Sequence, residues 1–362
     1  MMDDPRYWLG FNLIPLIGPV RLRALLDYFG DLAAAWQASP AALRAARLPQ
    51  APMEQLIYHR GRLDLDAELA KVQRQGVRLV TWDSPDYPVR LKQIEQSPPL
   101  LYVRGELSSD DEWAVAVVGT RSPTTYGKDM AQRLASGLAE NSITVVSGLA
   151  LGIDGLAHQA ALAAGGRTLA VQGCGLDIIY PERHKPLAER ICQQGALISD
   201  YPLGTQPEAN TFPPRNRLIS GLSLGTLVVE AGLHSGALIT LQFALEQGRE
   251  TFALPGSVQS RMSAGTNAAI QRGEAKLVST VADILEELNL TQVAEHKAVR
   301  EVLPESPTEA ALLACLESEP VHIDEIVRRS GLAAAIVSST LCVMELKGMV
   351  RRVDNMSYTL VH

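Results

Sequence analysis

The chain has 362 residues, enough for two or three domains and a sizeable hydrophobic core. Hydrophobic residues make up 46% of it and charged residues 20%, which is typical of a globular protein and excludes a largely disordered one. The 33 Lys and Arg residues against 40 Asp and Glu give a formal net charge of −7. This balance argues against a histone-like coat for DNA, but it leaves room for a local basic groove.

The four cysteines are scattered and form no CxxC pair, so the sequence predicts neither a zinc site nor a disulfide framework. We expect reduced thiols in a cytoplasmic protein with no cofactor. The first residues lack the basic and apolar regions of a signal peptide. The longest nearly uncharged stretch, 218–245, contains Glu230 and many Gly and Ser residues, so no membrane partner is expected.

Changes in texture along the chain predict four regions: a helical module over 1–85, a core over 86–290, a linker over 291–306 and a small domain over 307–362. In the first, LIPLIGPVRLRALLDYFG predicts a helix-hairpin-helix (SAM-like) unit, because Gly18 and Pro19 separate two apolar helical runs. Such a turn either offers backbone amides to a phosphate or belongs to a packing module. The second interpretation is favoured, since one hairpin on an acidic chain is a weak signal.

The core alternates β-branched runs with helical runs. The apolar runs are AVAVVG (114–119), ITVVSG (143–148), TLAVQG (168–173), ALISDY (196–201), TLVVEA (226–231), ETFALPG (250–256) and AKLVST (275–280). Continuous apolar strands separated by helices are typical of a parallel sheet covered on both faces. We therefore predict an α/β fold with a doubly wound, Rossmann-like parallel sheet, in which ligands bind beyond the carboxyl ends of the strands.

Small residues and cations follow several of these strands. Gly119 ends the first run and is followed by Thr120 and Arg121, and Ser147 and Gly148 end the second. Glycine-bearing loops at helix starts suit phosphate groups, and an arginine adds a bidentate fork. The spacing is not GxGxxG, so a dinucleotide site is not supported. For Asp154 and His158, a helix cap and an ordinary histidine are favoured over an acid–base pair.

The segment FPPRNR (212–217) places Arg215, Asn216 and Arg217 in the first turns of a helix. Cations there oppose the helix macrodipole unless an anion lies nearby. We interpret this as a docking point for a negative group. The alternative is that acidic residues elsewhere in the fold pair with both arginines.

Several such loops on one sheet edge describe an extended anionic track better than a single cofactor pocket. Phe212 and Tyr180 are candidates for a base pocket. No nucleophile with an evident base, metal cluster or Walker A motif is visible, so a non-enzymatic role is predicted. The candidate binding residues for this track are Gly119, Thr120, Arg121, Ser147, Gly148, Lys185, Phe212, Arg215, Asn216, Arg217, Ser235, Gly236, Thr240 and Asn267.

The motifs VVGTR, SGLALGIDGLAH, GCGLDIIYP, FPPRNRLISGL, VVEAGLHSGALIT, ALPG and GTNAAI occur in order between residues 91 and 288. Together they closely resemble the motif set of the DprA/Smf family of bacterial DNA-processing proteins. The resemblance implies an extended Rossmann-like domain that binds single-stranded DNA, forms a homodimer through the same domain and loads RecA recombinase during natural transformation. It also implies DNA-binding roles for Arg121 and Lys185, although His184 departs from the asparagine expected before the lysine.

A second hypothesis comes from GLSLGTLVVE (221–230), which resembles the PGGxGTxxE signature of nucleoside-monophosphate phosphoribohydrolases (the LOG family). The Pro-Gly-Gly is absent here, and Glu230 lies one residue further along the strand. Such a shift turns a side chain to the other face of the sheet. A nucleotide-hydrolysing enzyme is therefore the alternative and not the preferred function.

The C-terminal segment predicts helices over 308–316, 323–330 and 333–346, followed by a hairpin around Asp354, Asn355 and Met356. This pattern resembles the winged-helix domain that many DprA proteins carry. From Glu305 onward there are five basic and eight acidic residues, a net charge of −3. Because duplex affinity comes largely from phosphate neutralisation, a protein partner is favoured over duplex DNA for this domain.

Overall fold

The computed structural model describes residues 4–290, 306–316, 321–346, 350–352 and 356–360. The chain divides into two compact units, Met1–Leu288 and Asn289–His362. Residues 291–305 of the predicted linker lie outside the described residues.

The first unit begins with six helices. They are α1 (Pro5–Asn12), α2 (Pro19–Phe29), α3 (Leu32–Gln37), α4 (Pro40–Ala45), α5 (Gln50–Arg60) and α6 (Leu65–Arg74). The predicted helix pair is present as α1 and α2: Gly18 precedes the first turn of α2, Pro19 opens it, and Gly30 ends it at a φ of 82°.

These helices pack directly on the edge of the main sheet. Trp8 of α1 meets Trp82 edge-to-face, with ring centroids 5.9 Å apart, and the Tyr102 hydroxyl donates to Asn12 Oδ1 at 2.8 Å. Helices and sheet thus share one hydrophobic core, and the boundary at 85/86 stays a prediction.

The main sheet has nine strands, in the order β1-β2-β6-β5-β4-β3-β7-β8-β9. They are β1 (Arg78–Thr81), β2 (Leu100–Gly105), β3 (Ala114–Val118), β4 (Thr144–Ser147), β5 (Thr168–Val171), β6 (Gly195–Ser199), β7 (Gly225–Val228), β8 (Glu250–Ala253) and β9 (Lys276–Leu277). The seven strands β3–β9 are mutually parallel, as predicted. The antiparallel edge pair was not predicted; Tyr102 of β2 faces Ser199 of β6.

Helices connect the strands on both faces of the sheet. They are α7 (Val89–Lys92), α8 (Thr125–Glu140), α9 (Ile153–Ala163), α10 (Lys185–Gln194), α11 (Phe212–Gly221), α12 (Ala237–Glu246), α13 (Ala264–Gln271) and α14 (Val281–Glu287). The order of strands reverses between β3 and β7, because the chain adds β4 to β6 on one side of β3 and β7 to β9 on the other. Such a switch point opens a crevice between the two flanking loops, where ligands bind in sheets of this class.

The second unit is a small winged-helix domain, as predicted. It contains α15 (Pro307–Leu313), β10 (Val321–His322), α16 (Ile323–Ser330), α17 (Ala334–Leu346), β11 (Val350–Arg352) and β12 (Ser357–Leu360). Its strands lie in the order β10-β12-β11, and Leu312, Ile326, Val337 and Leu341 form its own core. Of the predicted turn, Asp354 and Asn355 lie outside the described residues.

Within the described residues, no single helix is long and apolar enough to cross a membrane. One pair of helical segments, α16 and residues 334–345, is long and apolar enough when taken together, but the two segments are bent by 113° relative to each other. All four cysteines, which the structure describes, are unpaired.

Candidate nucleic-acid interface

A cleft of about 540 Å³ lies at the switch point, beyond the carboxyl ends of β3 and β7. Eight of the fourteen predicted residues line it: Gly119, Arg121, Phe212, Arg215, Asn216, Ser235, Gly236 and Thr240. Gly148 lines a small adjoining cavity with Arg121 and Phe212. The structure therefore brings nine of the predicted residues to one place.

Arg121 is the exposed cation of this cleft. It lies in the loop between β3 and α8, and its guanidinium carbon lies 5.6 Å from the centroid of the Phe212 ring. That distance is within the range of a cation–π contact. Arg121 is thus held beside an aromatic face while its charge remains open to solvent.

Phe212 and Tyr180 form an aromatic pair at the rim. Their ring centroids are 5.4 Å apart with an interplanar angle of 31°, and Tyr180 is 41% exposed. Tyr180 lies in the loop after β5, whereas Phe212 opens α11. Aromatic faces next to a cation are the usual elements of a surface that stacks nucleobases. The sequence predicts Tyr180 as a candidate for a base pocket, although Tyr180 is not one of the fourteen candidate binding residues.

Arg215 lines the cleft but is buried, with 4% of its surface exposed. Its Nη1 donates to the carbonyl oxygens of Gly148, at 2.9 Å, and Val171. Burial lowers the pKa of its guanidinium to about 10, and the Asp154 carboxylate partly offsets that effect. The expectation of an anion-docking side chain is corrected here: Arg215 binds the carbonyls at the ends of β4 and β5.

Asp154 lies below the same part of the cleft. Its Oδ2 accepts hydrogen bonds from the backbone N–H groups of Gly148, at 3.1 Å, and Ala150, at 3.4 Å. Burial raises the pKa of this carboxyl. The N-cap of α9 is Gly152, so the cap predicted at Asp154 is wrong: the side chain binds the loop after β4 instead.

Arg217 does not reach the cleft. Its Nη2 lies 2.7 Å from Asp200 Oδ2, with 13% of its side chain exposed and 14% of that of its partner. Residues two positions apart on a helix point about 200° apart, so Arg215 and Arg217 cannot face one anion. The prediction that both mark the same docking point is wrong for this geometric reason.

Four other predicted residues lie outside the cleft. Ser147 donates its hydroxyl to the Val117 carbonyl at 2.7 Å, and both polar atoms of the Asn267 amide bind the backbone of Gly256 at 3.0 Å. These two side chains hold strands and loops together. Thr120 is bound through its backbone, and Lys185 is exposed at the first turn of α10.

Lys185 lies next to a contact made by its neighbour. His184 Nδ1 and the Leu149 carbonyl oxygen lie 2.9 Å apart, within hydrogen-bond distance. This contact joins the start of α10 to the loop after β4, which contributes Gly148 to the site. The His184 side chain thereby anchors the turn at which the sequence departs from the Asn-Lys pattern.

Glu230 is not among the described residues that line the cleft. Its two carboxylate oxygens accept hydrogen bonds from the N–H and hydroxyl of Thr124. His158 is also removed from the cleft: it is fully buried against Thr168, with 2.6 Å between Nδ1 and Oγ1. Neither side chain is placed as a catalytic group in the cleft.

Comparison with known proteins agrees with this architecture. The family model for DNA recombination-mediator protein A matches residues 78–289, and the model for the DprA winged helix domain matches residues 296–356. The chain belongs to the DprA/Smf family. The resemblance drawn from its motifs is confirmed.

Similar family members cover nearly the whole chain. Protein Smf of Synechocystis is 34% identical over 98% of both chains, and protein Smf of Escherichia coli is 37% identical over 97% of this chain and 95% of its own. The matches therefore extend over both units of this chain.

Two solved structures are similar to large parts of this chain. DprA of Streptococcus pneumoniae matches with a TM-score of 0.69 and 35% identity, over 79% of this chain and 99% of that one. DprA of Helicobacter pylori, described for its single-stranded DNA binding mode, matches with a TM-score of 0.54 and 30% identity, over 59% of this chain and 97% of that one.

Proposed function

We propose that this chain binds single-stranded DNA in the cleft between β3 and β7 and delivers the strand to RecA recombinase. The observation that carries the proposal is Arg121 held beside the Tyr180–Phe212 aromatic pair at the switch point of the sheet. The family membership supports it, as does the single-stranded DNA binding described for the Helicobacter pylori protein.

The cleft suits the two chemical parts of a single strand. The guanidinium of Arg121 and the first turn of α12, at Gly236 and Ala237, offer a positive charge and backbone amides to phosphates. The exposed face of Tyr180, next to Phe212, offers a stacking surface to a base. Lys185, exposed at the start of α10, extends the track along the backbone.

We infer that binding, and not hydrolysis, is the role of this cleft. Asp154 is the one carboxylate among the lining residues, and its Oδ2 accepts from two backbone amides. The lining contains neither histidine nor cysteine nor lysine. A homodimer formed through the Rossmann-like domain would place two such tracks in one particle, which favours cooperative coating.

The experiment is a salt-dependent titration of the full chain with single-stranded and duplex oligonucleotides. We expect tighter binding to the single strand, and the double variant Arg121→Ala with Lys185→Ala should weaken it and flatten the salt dependence. The matched control is Arg133→Ala with Arg190→Ala, which removes the same charge from exposed positions outside the cleft. Equal losses in both doubles would contradict a localised track.

Recombinase delivery has its own test. Purified RecA is added to single-stranded DNA already covered by a single-strand-binding protein, and its DNA-dependent ATPase is followed. The chain should shorten the lag before ATP hydrolysis, and the double variant should not. An unchanged lag with the native chain would contradict this part of the proposal.

A further inference from the structure

Glu230, directly after β7 and Val229, is a buried carboxylate joined to the loop that carries Arg121. Only 1% of its surface is exposed. Its Oε2 accepts the Thr124 N–H at 2.8 Å, and its Oε1 accepts the Thr124 hydroxyl at 2.7 Å. Its backbone oxygen accepts the Thr120 N–H at 2.8 Å. One residue of the neighbouring strand end thus makes three hydrogen bonds to this loop.

These hydrogen bonds bracket Arg121. Thr120 precedes it and Thr124 follows three residues later, so the loop is attached to the end of β7 on both sides of the arginine. Thr124 also caps α8, since its Oγ accepts the Gly127 N–H at 3.2 Å. The Glu230 carboxylate therefore holds the loop on the α8 side of Arg121 together with the start of α8, and the Glu230 backbone oxygen holds the other side.

The fit around the carboxylate is tight. A Cβ at Gly127 would lie too close to Glu230 Oε2 unless the Glu230 side chain moved. Glycine at this position lets the first turn of α8 lie against the acid. The absence of a side chain at Gly127 thus leaves the space that the Glu230 carboxylate occupies.

We propose that Glu230 is a positioning residue for DNA binding, which holds Arg121 at the rim of the cleft without touching the nucleic acid. The inference rests on the proposed function, because it assigns Glu230 a role in single-strand binding. It also gives this glutamate a use other than the catalytic one that its position in GLSLGTLVVE suggests.

The sign of the effect distinguishes this role from simple electrostatics. A carboxylate close to a DNA site repels phosphates, so its removal by charge alone would strengthen binding. Removal of a positioning contact weakens binding instead, because the Arg121 loop loses its attachment at Thr124 and keeps only the backbone hydrogen bond at Thr120. A loss of affinity on deleting a negative charge therefore identifies positioning.

The experiment compares Glu230→Ala with Glu230→Gln in the full chain, using a fluorescent single-stranded oligonucleotide. Glutamine keeps an oxygen for the Thr124 N–H and an amide for its Oγ, so its affinity should stay within about twofold of the native value. Alanine removes both contacts to Thr124, so Arg121 should lose its own contact with the DNA. Binding should then weaken by about tenfold, the loss expected for one charge-assisted hydrogen bond between Arg121 and a phosphate. Thermal melts monitored by circular dichroism establish that each variant is folded.

Coupling to Arg121→Ala completes the test. The double variant with Glu230→Ala should bind no more weakly than Arg121→Ala alone, because both changes remove the same contact. Losses that multiply, or an alanine variant that binds as tightly as the native chain, would overturn the inference. If Arg121→Ala itself leaves binding unchanged, the proposed function fails instead.

A second variant covers the case in which Glu230→Ala does not fold. Thr124→Val removes the hydroxyl and leaves the N–H, whereas Thr124→Ser keeps both groups. We expect the valine variant to bind several-fold more weakly and the serine variant to bind as the native chain does. Equal affinity in the two would overturn the inference.

Discussion

Two arginines flank the ring of Phe212 and differ in what surrounds them. Arg121 is exposed, with its guanidinium 5.6 Å from the ring centroid, whereas Arg215 is buried at 5.9 Å. Arg215 donates to the carbonyls of Gly148, directly after β4, and of Val171, the last residue of β5. We therefore expect Arg215 to contribute to stability, whereas Arg121 is free to make the proposed contact with DNA.

Arg215→Met should lower the free energy of unfolding by about 3 kcal/mol, because it leaves two buried carbonyls unpaired and removes the charge that offsets Asp154. Arg121→Ala, the matched exposed change, should alter it by less than about 0.5 kcal/mol. Urea unfolding of both variants measures this difference. Equal stabilities would contradict the assignment.

His158 makes stability depend on pH. It is fully buried, its Nε2 has no hydrogen-bond partner among the described residues, and burial lowers the pKa of its ring to about 3. Between that value and the usual 6.5, the unfolded chain binds a proton that the folded chain does not. The contribution of the neutral His158 ring to the free energy of unfolding is complete above pH 6.5 and is lost as the pH falls toward 3.

The variant His158→Gln should abolish this dependence. The difference in unfolding free energy between the native chain and the variant should be constant above neutrality and fall by up to about 1.4 kcal/mol per pH unit below pH 6.5. Urea unfolding at four values between pH 4.5 and 7.5 measures it. A difference that stays constant over the whole range would contradict a neutral buried ring.

Residue placement could be predicted only in part. Arg121 and Phe212 follow directly from their positions after a strand and at a helix start. A shared docking point for Arg215 and Arg217 could have been excluded on the sequence alone, because the two residues are two positions apart and helical geometry separates them. The partner of Arg217, Asp200, lies 17 residues away in the chain. A pair at that separation cannot be predicted from a local sequence pattern.

At the scale of elements, the parallel strands β3 to β7 were predictable because each is buried along its whole length and reads as a short apolar run. Residues 114–118 and 225–228 are buried throughout. The edge strands differ: β1 begins with an exposed and a half-buried residue, so its apolar signal is short. Strand order depends on contacts between distant segments, such as Val115 with Gly225. It therefore cannot be predicted from any single apolar run.

The winged-helix domain contains a helix that is poorly suited to duplex DNA. Glu345 is the one charged residue of α17, and Ile336 and Val343 are 47% and 45% exposed. Duplex affinity needs Lys and Arg against phosphates. An exposed apolar face without cations is typical of a surface that contacts protein.

We therefore expect residues 289–362, a compact unit with its own core, to give no gel shift with duplex DNA at ~150 mM salt. The positive control is Ser338→Arg with Ser339→Arg, two exposed positions of α17 that supply the missing cations. This variant should shift the duplex at lower salt. A tight shift by the native segment would contradict the expectation.

The whole molecule combines a net charge of −7 with a cleft that carries one exposed arginine. We therefore expect long-range attraction to DNA to be weak and the salt-dependent contacts to be limited to Arg121, Lys185 and the first turn of α12. Stacking on Tyr180 and Phe212 does not depend on charge. The affinity of this chain should thus divide into a small salt-dependent part and a larger salt-independent part.

Separate variants should remove the two parts. Tyr180→Ala should cost about 1 kcal/mol of binding at every salt concentration, because the lost interaction is stacking on a ring that is 41% exposed. Arg121→Ala should instead reduce the slope of log affinity against log salt by about 0.7, the value for one phosphate on a single strand. Titrations from 50 to 300 mM salt separate the two effects. If Tyr180→Ala changed the slope as much as Arg121→Ala, the division between ring and charge would be wrong, because a neutral ring releases no counterion.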